Sequence, residues 1–276
     1  MAYSIRFVLC ALLAFPTFAH AKWAPTNGPG GHTVNAFAVH GAVLFSGTSR
    51  GLFQSTDAGS HWTMIDSGLT FSVNCFSING NMIFAGTDTG IIRSTNEGAN
   101  WEKLSGSIAN CAITSLAQFG DTLFAATPQL FRSLNNGNTW DSVNMTASLL
   151  CTDINHHLYA ARSGGQWNSP GDTGGVFVSV DYGLTWTKLS GGLPVDKQFY
   201  IWDPSTGQHD GYYDYTFIKA LTSNVHGIFA GTLHGVYRST NAGTAWQQVD
   251  SDDSSGTSFG QGDSLFTGTV DGFVHC

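Results

Sequence analysis

Short apolar runs that end in small residues recur along the chain. They occupy residues 44–48, 83–87, 123–127, 158–162, 228–232 and 265–269. A further apolar run precedes each of them, such as residues 73–78, and another follows, such as residues 90–94. Runs of this length bounded by Gly, Asn and Asp are typical of β-strands. The pattern therefore predicts an all-β protein made of repeated units.

An octapeptide of the form Ser-x-(Asp/Asn)-x-Gly-x-x-Trp follows five of the six runs. Trp62, Trp101 and Trp140, which end the first three copies, are 39 residues apart. Asp or Asn can bond the backbone just ahead of it, and Gly supplies a positive φ, so the octapeptide predicts a hairpin turn. We expect a structural role for its repeated residues, which are Ser55, Asp57, Gly59, Trp62, Ser94, Asn96, Gly98, Trp101, Ser133, Asn135, Gly137, Trp140, Ser179, Asp181, Gly183, Trp186, Ser239, Asn241, Gly243 and Trp246.

Each unit of about 40 residues offers four strands, which is the arithmetic of a β-propeller. The sixth unit has three strands and no octapeptide, while Trp23 stands 39 residues before Trp62. The sequence therefore predicts a six-bladed β-propeller of four-stranded blades, with the last blade closed by an N-terminal strand at residues 22–28. A truncated seven-bladed ring is the alternative.

The octapeptides resemble the Asp-box, or BNR, repeats of β-propeller proteins across nearly all of residues 22–276. Such repeats occur in sialidases, xyloglucanase-type glycoside hydrolases, sortilin-type receptors and photosystem II stability/assembly factors. In these families the box is a fold element away from the active face. The resemblance therefore implies an architecture and leaves the chemistry open.

The N-terminus has the features of an export signal. Arg6 precedes an apolar run at residues 7–18, and Ala19 and Ala21 frame a small-x-small cleavage site. We predict a signal peptide at residues 1–21 and a single propeller domain at residues 22–276, secreted or periplasmic, monomeric and not inserted in a membrane. The net charge of −8 excludes a generally basic nucleic-acid binder.

The cysteines and charged residues restrict the chemistry. Cys75, Cys111, Cys151 and Cys276 allow three disulfide pairings, and no pairing is predicted. No metal-ligand or nucleophile–base spacing is present, so we expect no metal and no cofactor. A sialidase needs three arginines that clamp the carboxylate of its substrate. Of the five arginines after residue 21, Arg93, Arg132 and Arg238 share one repeat position directly before the Ser of an octapeptide. Only Arg50 and Arg162 stand elsewhere, so a sialidase mechanism is not predicted.

Two insertions interrupt the repeat, at residues 163–175 and 189–215. In an up-and-down sheet they emerge on one face, with the octapeptides on the opposite face. Six of the eight Trp residues occupy the repeated position, whereas the other two lie in the insertions. Aromatic residues dominate recognition surfaces. The predicted ligand-binding residues are Arg162, Trp167, Tyr200, Trp202, Asp203, His209, Asp210, Tyr212 and Tyr213.

These features predict an exported, non-catalytic binding module that recognises a protein partner or a glycan through its insertions. One alternative is a glycoside hydrolase, which needs two carboxylates on the same face. The candidates for that pair are Asp88, Asp203, Asp210 and Asp271. Another alternative is an assembly or stability factor similar to the photosystem II group, although this acidic chain does not obviously supply the basic binding face expected of that group.

Overall fold

Antiparallel strands make up nearly all the regular structure of the described residues. The computed structural model describes residues 28, 32–65, 71–162, 174–189, 191–199, 202–203, 208–209, 212–249, 256–260, 266–269 and 274–275. In the strands of residues 196–215 and 256–275 the backbone alone is described.

Five four-stranded sheets follow one another along the chain, each in simple up-and-down order. Blade 1 holds β1 (Val34–His40), β2 (Val43–Thr48), β3 (Gly51–Ser55) and β4 (Thr63–Met64). Blade 2 holds β5 (Val73–Asn79), β6 (Met82–Thr87), β7 (Gly90–Ser94) and β8 (Glu102–Lys103). Blade 3 holds β9 (Ser115–Phe119), β10 (Thr122–Ala126), β11 (Leu130–Ser133) and β12 (Asp141–Val143).

Two more blades and three smaller sheets complete the described strands. Blade 4 holds β13 (Leu149–Thr152), β14 (Leu158–Arg162), β15 (Gly175–Ser179) and β16 (Thr187–Leu189). The second insertion contributes β17 (Asp196–Phe199), β18 (Trp202–Asp203), β19 (Gln208–His209) and β20 (Tyr212–Tyr215). Blade 5 holds β21 (Ile218–Asn224), β22 (Gly227–Thr232), β23 (Gly235–Ser239) and β24 (Gln247–Gln248), and β25 (Gly256–Gly260), β26 (Phe266–Thr269) and β27 (Val274–His275) form a three-stranded sheet.

The first strand of each blade packs beside the first strand of the next, so that β1, β5, β9, β13 and β21 surround a common channel. This arrangement is a β-propeller, as the repeat predicts. The prediction of six four-stranded blades is wrong, because the described residues form five. The sixth unit forms only the sheet β25–β27, whose first strand packs beside β21 and β22.

The physical reason for the miscount lies in the last unit. Its described strands are β25, β26 and β27, which pair with one another in that order. The segment predicted to supply the fourth strand, residues 22–28, lies outside the described residues except for Gly28. The prediction took the fourth strand of the last blade from residues 22–28 and so counted a complete blade, whereas the described strands of the sixth unit form a three-stranded sheet.

The core consists of four apolar layers, one between each pair of successive blades. Alternate residues of a strand point to opposite faces. In β6, Ile83 and Ala85 therefore pack toward Phe45 of blade 1, while Phe84 packs toward Leu116 of blade 3. Each blade is covered in this way by its neighbours, which explains why the second strands are apolar along their whole length.

The octapeptides form tight turns held by the Ser and Asp/Asn side chains. In the third copy, Ser133 Oγ accepts the backbone N–H of Gly137 at 2.8 Å and donates to Asn135 Oδ1 at 2.9 Å. Asn135 Oδ1 also accepts the N–H of Thr139 at 2.9 Å. The residue before each Gly has a positive φ of 54° to 60°; these residues are Ala58, Glu97, Asn136, Tyr182 and Ala242. The same bonds recur in the other four turns.

The Trp that ends each octapeptide closes its own turn in four of the five copies. Its Nε1 donates to the carbonyl of the turn Gly at 3.0 to 3.2 Å in Trp62, Trp101, Trp140 and Trp186. Trp246 differs, because its backbone N–H donates to Gly191 O at 2.8 Å and its buried Nε1 has no acceptor among the described residues. The chain after β16 is thereby attached to blade 5.

Candidate functional site

A channel of about 300 Å³ lies where the first strands of the five blades meet. Phe37, Phe76, Gln118, Cys151 and Thr222 contribute to its wall, one from each blade. The wall thus combines apolar side chains with a few polar groups, as in many small-ligand and peptide sites.

Hydrogen bonds between neighbouring blades hold the channel wall. At one end, Asn35 Nδ2 donates to Ser72 Oγ at 2.9 Å, and Asn74 Nδ2 donates to Ile113 O at 3.2 Å. At the other end, Ser223 Oγ donates to Thr152 O at 2.6 Å. These bonds join residues 37 to 71 positions apart in sequence, so the blades are fixed relative to one another around the channel.

The thiols in and beside the channel are not set up for nucleophilic chemistry. Burial raises the pKa of Cys75 to about 12, and burial also raises the pKa of Cys151 well above its ordinary value of 9.0. Because the thiolate is the reactive form, both groups are inert near neutral pH. Cys75, Cys111 and Cys151 are all free thiols. In the part of the chain that the structure describes, no group of three or more His, Cys, Asp or Glu side chains could hold a metal ion.

The two ends of the channel open on two different faces. One end carries the connections between second and third strands and the connections between successive blades. We call this end the insertion face. The opposite end is the turn face, because it carries the octapeptide turns and the connections between first and second strands. On the turn face of blade 3 these two kinds of turn touch, as the Asn136 N–H donates to Asp121 O at 2.9 Å.

The second insertion forms a hairpin between blades 4 and 5. Strand β17 pairs antiparallel with β20, and β18 pairs with β19, so that Phe199 lies opposite Tyr212 and Trp202 lies opposite His209. At the base of the hairpin, Gly174 forms a parallel bridge with Thr216. The ends of the two insertions are therefore next to each other on the insertion face.

Arg162 stands at the repeat position that Thr48, Thr87, Thr127 and Thr232 occupy in the other blades. In blade 2, Thr87 Oγ1 donates to Gly90 O at 2.8 Å and closes a tight turn. Arg162 instead donates from Nη1 to Thr146 Oγ1 at 3.1 Å, and its guanidinium lies 4.9 Å from the centre of the Phe177 ring. Lys188 Nζ lies 6.0 Å from the centre of the same ring. The side chain of Arg162 is thus fixed at the rim of the insertion face.

The other predicted ligand-binding residues fall in two groups. Trp202, Asp203, His209, Tyr212 and Tyr213 lie on the strands of the hairpin. Trp167, Tyr200 and Asp210 lie outside the described residues. Of the carboxylates considered for hydrolysis, Asp88 lies in the turn between β6 and β7, Asp203 lies on β18, and Asp210 and Asp271 are outside the described residues.

Sequence reasoning missed a polar network on the turn face of blade 4. Asp153 Oδ1 accepts the backbone N–H groups of Asn155 and His157, both at 2.9 Å. Its Oδ2 accepts the Tyr159 hydroxyl and lies beside His157 Nδ1. The length of one connection could have indicated this network. Residues 153–157 join β13 to β14, whereas only residues 80–81 join β5 to β6.

The five blades and their central channel define a β-propeller domain. A protein-family model described as the DUF6242 beta propeller domain matches residues 74–209, just under half of the chain. No curated protein matches the sequence.

Solved structures with the same fold come from several kinds of protein. The extracellular domain of a B. thetaiotaomicron protein described as a hybrid two component system has a TM-score of 0.65 and 16% identity over 88% of this chain. YCF48 bound to D1 peptide has a TM-score of 0.61 and 16% identity over 88% of this chain. An ancestral GH74 enzyme has a TM-score of 0.63 and 16% identity over 87% of this chain.

This chain spans 31% of the B. thetaiotaomicron structure, 76% of the YCF48 chain and 38% of the GH74 chain. At this level of identity the likeness establishes the fold alone. Among the described residues, no helix has the length and apolar character needed to cross a membrane.

Proposed function

We propose that this β-propeller is a non-catalytic, extracytoplasmic binding module that recognises a protein partner on its insertion face. The observation that carries the proposal is the hairpin β17–β20, which rises where both insertions meet at the Gly174–Thr216 bridge. An extra hairpin costs conformational entropy and adds nothing to the repeat, so a role in recognition is the economical explanation.

The composition of the hairpin supports a recognition role. Trp202, Tyr212 and Tyr213 lie on its strands, and Trp and Tyr are the residue types that contribute most to protein interfaces. The rigid ring beneath provides a fixed base, because blade-to-blade hydrogen bonds hold the channel wall. A preorganised base lowers the entropy cost of binding.

A protein partner is favoured over a glycan by a likeness in fold. YCF48, which has the same fold, was solved bound to D1 peptide. An assembly-factor role, as in the photosystem II group, would be one form of this binding function. Hydrolysis stays the alternative function, and it would need two of the carboxylates of Asp88, Asp203, Asp210 and Asp271 on the insertion face. Export is supported by the features of residues 1–21 and by the extracellular origin of a structural relative.

The test places a photo-crosslinking amino acid at position 202 of the full chain. This variant is expressed in the cells that naturally make the protein. The crosslinked partner is identified by mass spectrometry, purified, and titrated against the wild type by calorimetry. We expect the paired change Trp202→Ala and Tyr212→Ala to weaken the measured affinity about tenfold or more. A crosslinker at the exposed position 64 of blade 1 is the matched control and should capture nothing.

Two outcomes would contradict the proposal. The first is an unchanged affinity of the purified partner for the Trp202→Ala, Tyr212→Ala variant. The second is binding of the wild type to a glycan array that the same variant loses, because that result would make the ligand a carbohydrate.

A further inference from the structure

Two arginines at the same repeat position have very different surroundings. Arg93 and Arg132 each stand directly before the Ser of an octapeptide. Every nitrogen of the Arg93 guanidinium donates at least one hydrogen bond. Its Nε and Nη2 donate to Glu102 Oε1 at 2.9 and 2.7 Å, and its Nη1 donates to Asn136 O at 2.7 Å and to Asn138 Oδ1 at 3.0 Å.

Arg132 keeps only the equivalent of one of these contacts. Its Nη1 donates to Tyr182 O at 2.9 Å, which corresponds to the bond from Arg93 to Asn136 O in the previous pair of blades. Asp141 occupies the position of Glu102 opposite the arginine, but it is one methylene shorter and forms no ion pair among the described residues.

The second side-chain acceptor is also lost. Leu184 replaces the acceptor Asn138 at the same place in the next octapeptide, and it cannot accept a hydrogen bond. Within the described part of the chain, the buried Nε of Arg132 has no acceptor. Nη2 also has no acceptor there, but it is not among the buried atoms, so an incoming carboxylate can reach it and would add an acceptor to this partly buried cation.

The residues beside Arg132 are apolar and exposed. Tyr182 is 52% exposed and Leu184 is 70% exposed. The Tyr182 ring centre lies 5.2 Å from that of Phe119, which in turn lies 5.5 Å from that of His156. We call Arg132, Phe119, His156, Tyr182 and Leu184 the Arg132 patch. The Arg132 patch lies on the turn face, at the opposite end of the channel from the hairpin.

The apolar character is confined to certain copies of the octapeptide. At the three variable positions around Asp181 and Gly183, the fourth copy has Val180, Tyr182 and Leu184. The first, second and fifth copies have small or polar residues there; these are Thr56, Ala58, Ser60, Thr95, Glu97, Ala99, Thr240, Ala242 and Thr244. The turn itself needs no large apolar side chain, so those of the fourth copy serve something other than the turn.

We propose that the Arg132 patch binds an Asp or Glu side chain that stands next to an apolar residue in an extended segment of a protein partner. The carboxylate would pair with Nη2 of Arg132, which has no hydrogen bond among the described residues and, unlike Nε, is not fully buried. The neighbouring apolar side chain would pack on Tyr182 and Leu184. This site is independent of the binding proposed for the hairpin.

The test selects ligands for the full chain from a library of random linear peptides. We expect enrichment of Asp or Glu beside Leu, Ile, Val or Phe. The best peptide is then synthesised together with its matched amide, in which Gln or Asn replaces the acid. Its affinity should fall about tenfold with the amide peptide and with the Arg132→Gln variant, and it should weaken with added salt.

The sharpest variant is Asp141→Glu, because it leaves every residue of the patch in place. It should restore the ion pair seen between Arg93 and Glu102 and thereby block the guanidinium, so peptide affinity should fall severalfold while the protein stays folded. Arg50→Gln is the matched control for charge, since Arg50 is exposed in the turn between β2 and β3 on the insertion face. It should bind the peptide as the wild type does.

Three results would overturn the proposal. One is a selection without acidic residues. Another is a peptide that binds Arg132→Gln and Asp141→Glu as tightly as it binds the wild type. The third is displacement of the peptide by an equal concentration of acetate. That result would show that the site binds anions in general and that Tyr182 and Leu184 add nothing to the affinity.

Discussion

The hydroxyl of Tyr159 donates a hydrogen bond to Asp153 Oδ2 over 3.1 Å, from a side chain that is completely buried. The same oxygen lies 2.9 Å from His157 Nδ1. The side chain of Asp153 is 12% exposed, so these partners replace most of its water. The long connection between β13 and β14 is therefore tied to the second strand of blade 4 by one carboxylate.

Removing this hydroxyl should destabilise the protein. In Tyr159→Phe, Asp153 Oδ2 loses a donor that water cannot easily replace, so we expect the free energy of unfolding to fall by about 1–3 kcal/mol. Urea unfolding measures the change. Tyr182→Phe is the control, because Tyr182 is half exposed, and it should change the free energy by less than about 0.5 kcal/mol. Equal effects of the two changes would contradict a special role for the Asp153 bond.

Stability should also fall at alkaline pH. Burial is the main reason that the pKa values of Cys75, Cys151 and Tyr159 are raised, and that of Cys75 reaches about 12 from an ordinary 9.0. Above pH 9 the unfolded chain therefore loses thiol protons that the folded chain retains. The contribution of these groups to the free energy of unfolding is fully present below pH 9. It is lost as the pH rises toward the pKa values of the folded state.

The slope of this loss can be measured. Each buried thiol should lower the free energy of unfolding by up to about 1.4 kcal/mol per pH unit once the pH is well above 9. We expect urea unfolding under reducing conditions to show a shallower slope for Cys75→Ala than for the wild type. Cys111→Ala is the comparison, since the Cys111 Sγ donates to Ser107 O in an exposed place. Identical slopes for the wild type and Cys75→Ala would show that the Cys75 thiol titrates alike in both states.

The serine of an octapeptide should matter more than an ordinary strand serine. Ser133 is 1% exposed, and its Oγ bonds both Gly137 N and Asn135 Oδ1. Ser133→Ala leaves the N–H of Gly137 without its acceptor in a buried place, so a loss of about 1–3 kcal/mol is expected. Ser142→Ala in β12 is the matched control, because Ser142 is exposed. A neutral result at Ser133 in thermal and urea unfolding would mean that water replaces the bond.

Local repeats made the strands predictable but not the number of blades. The predicted run at residues 83–87 lies within β6 and the run at residues 90–94 coincides with β7, because Gly, Asn and Asp mark both ends of each run. The number of complete blades depends on which strands pair across units, and that pairing is not encoded within one unit.

The sites that depend on neighbouring blades were less accessible to sequence reasoning. Arg93 and Arg132 have the same place in the repeat, and only the structure shows that each donates to a backbone carbonyl of the following octapeptide. The hairpin could be expected from the length of the second insertion and its aromatic residues. Its pairing at Gly174 and Thr216 joins two separate insertions, so no local pattern could predict it.

The close contact between blades 2 and 3 gives the last prediction. Gly86 ends the apolar part of β6, and a Cβ placed there would lie 2.5 Å from Cys75 Sγ and 2.6 Å from Ile113 Cγ2. Ala126 and Ala161 occupy the same position in blades 3 and 4, so the backbone of the strand accepts alanine. The need for glycine in blade 2 therefore comes from Cys75 and Ile113.

Gly86→Ala should overpack this contact and lower the free energy of unfolding by about 1–3 kcal/mol. In the Cys75→Ala background the Sγ atom is gone, so the same change should cost less, and the difference between the two backgrounds measures the coupling. Urea unfolding of the four proteins of this double-mutant cycle provides the measurement. The same cost in both backgrounds would place the constraint on Ile113 alone, and no cost in either would show that blades 2 and 3 can move apart without loss.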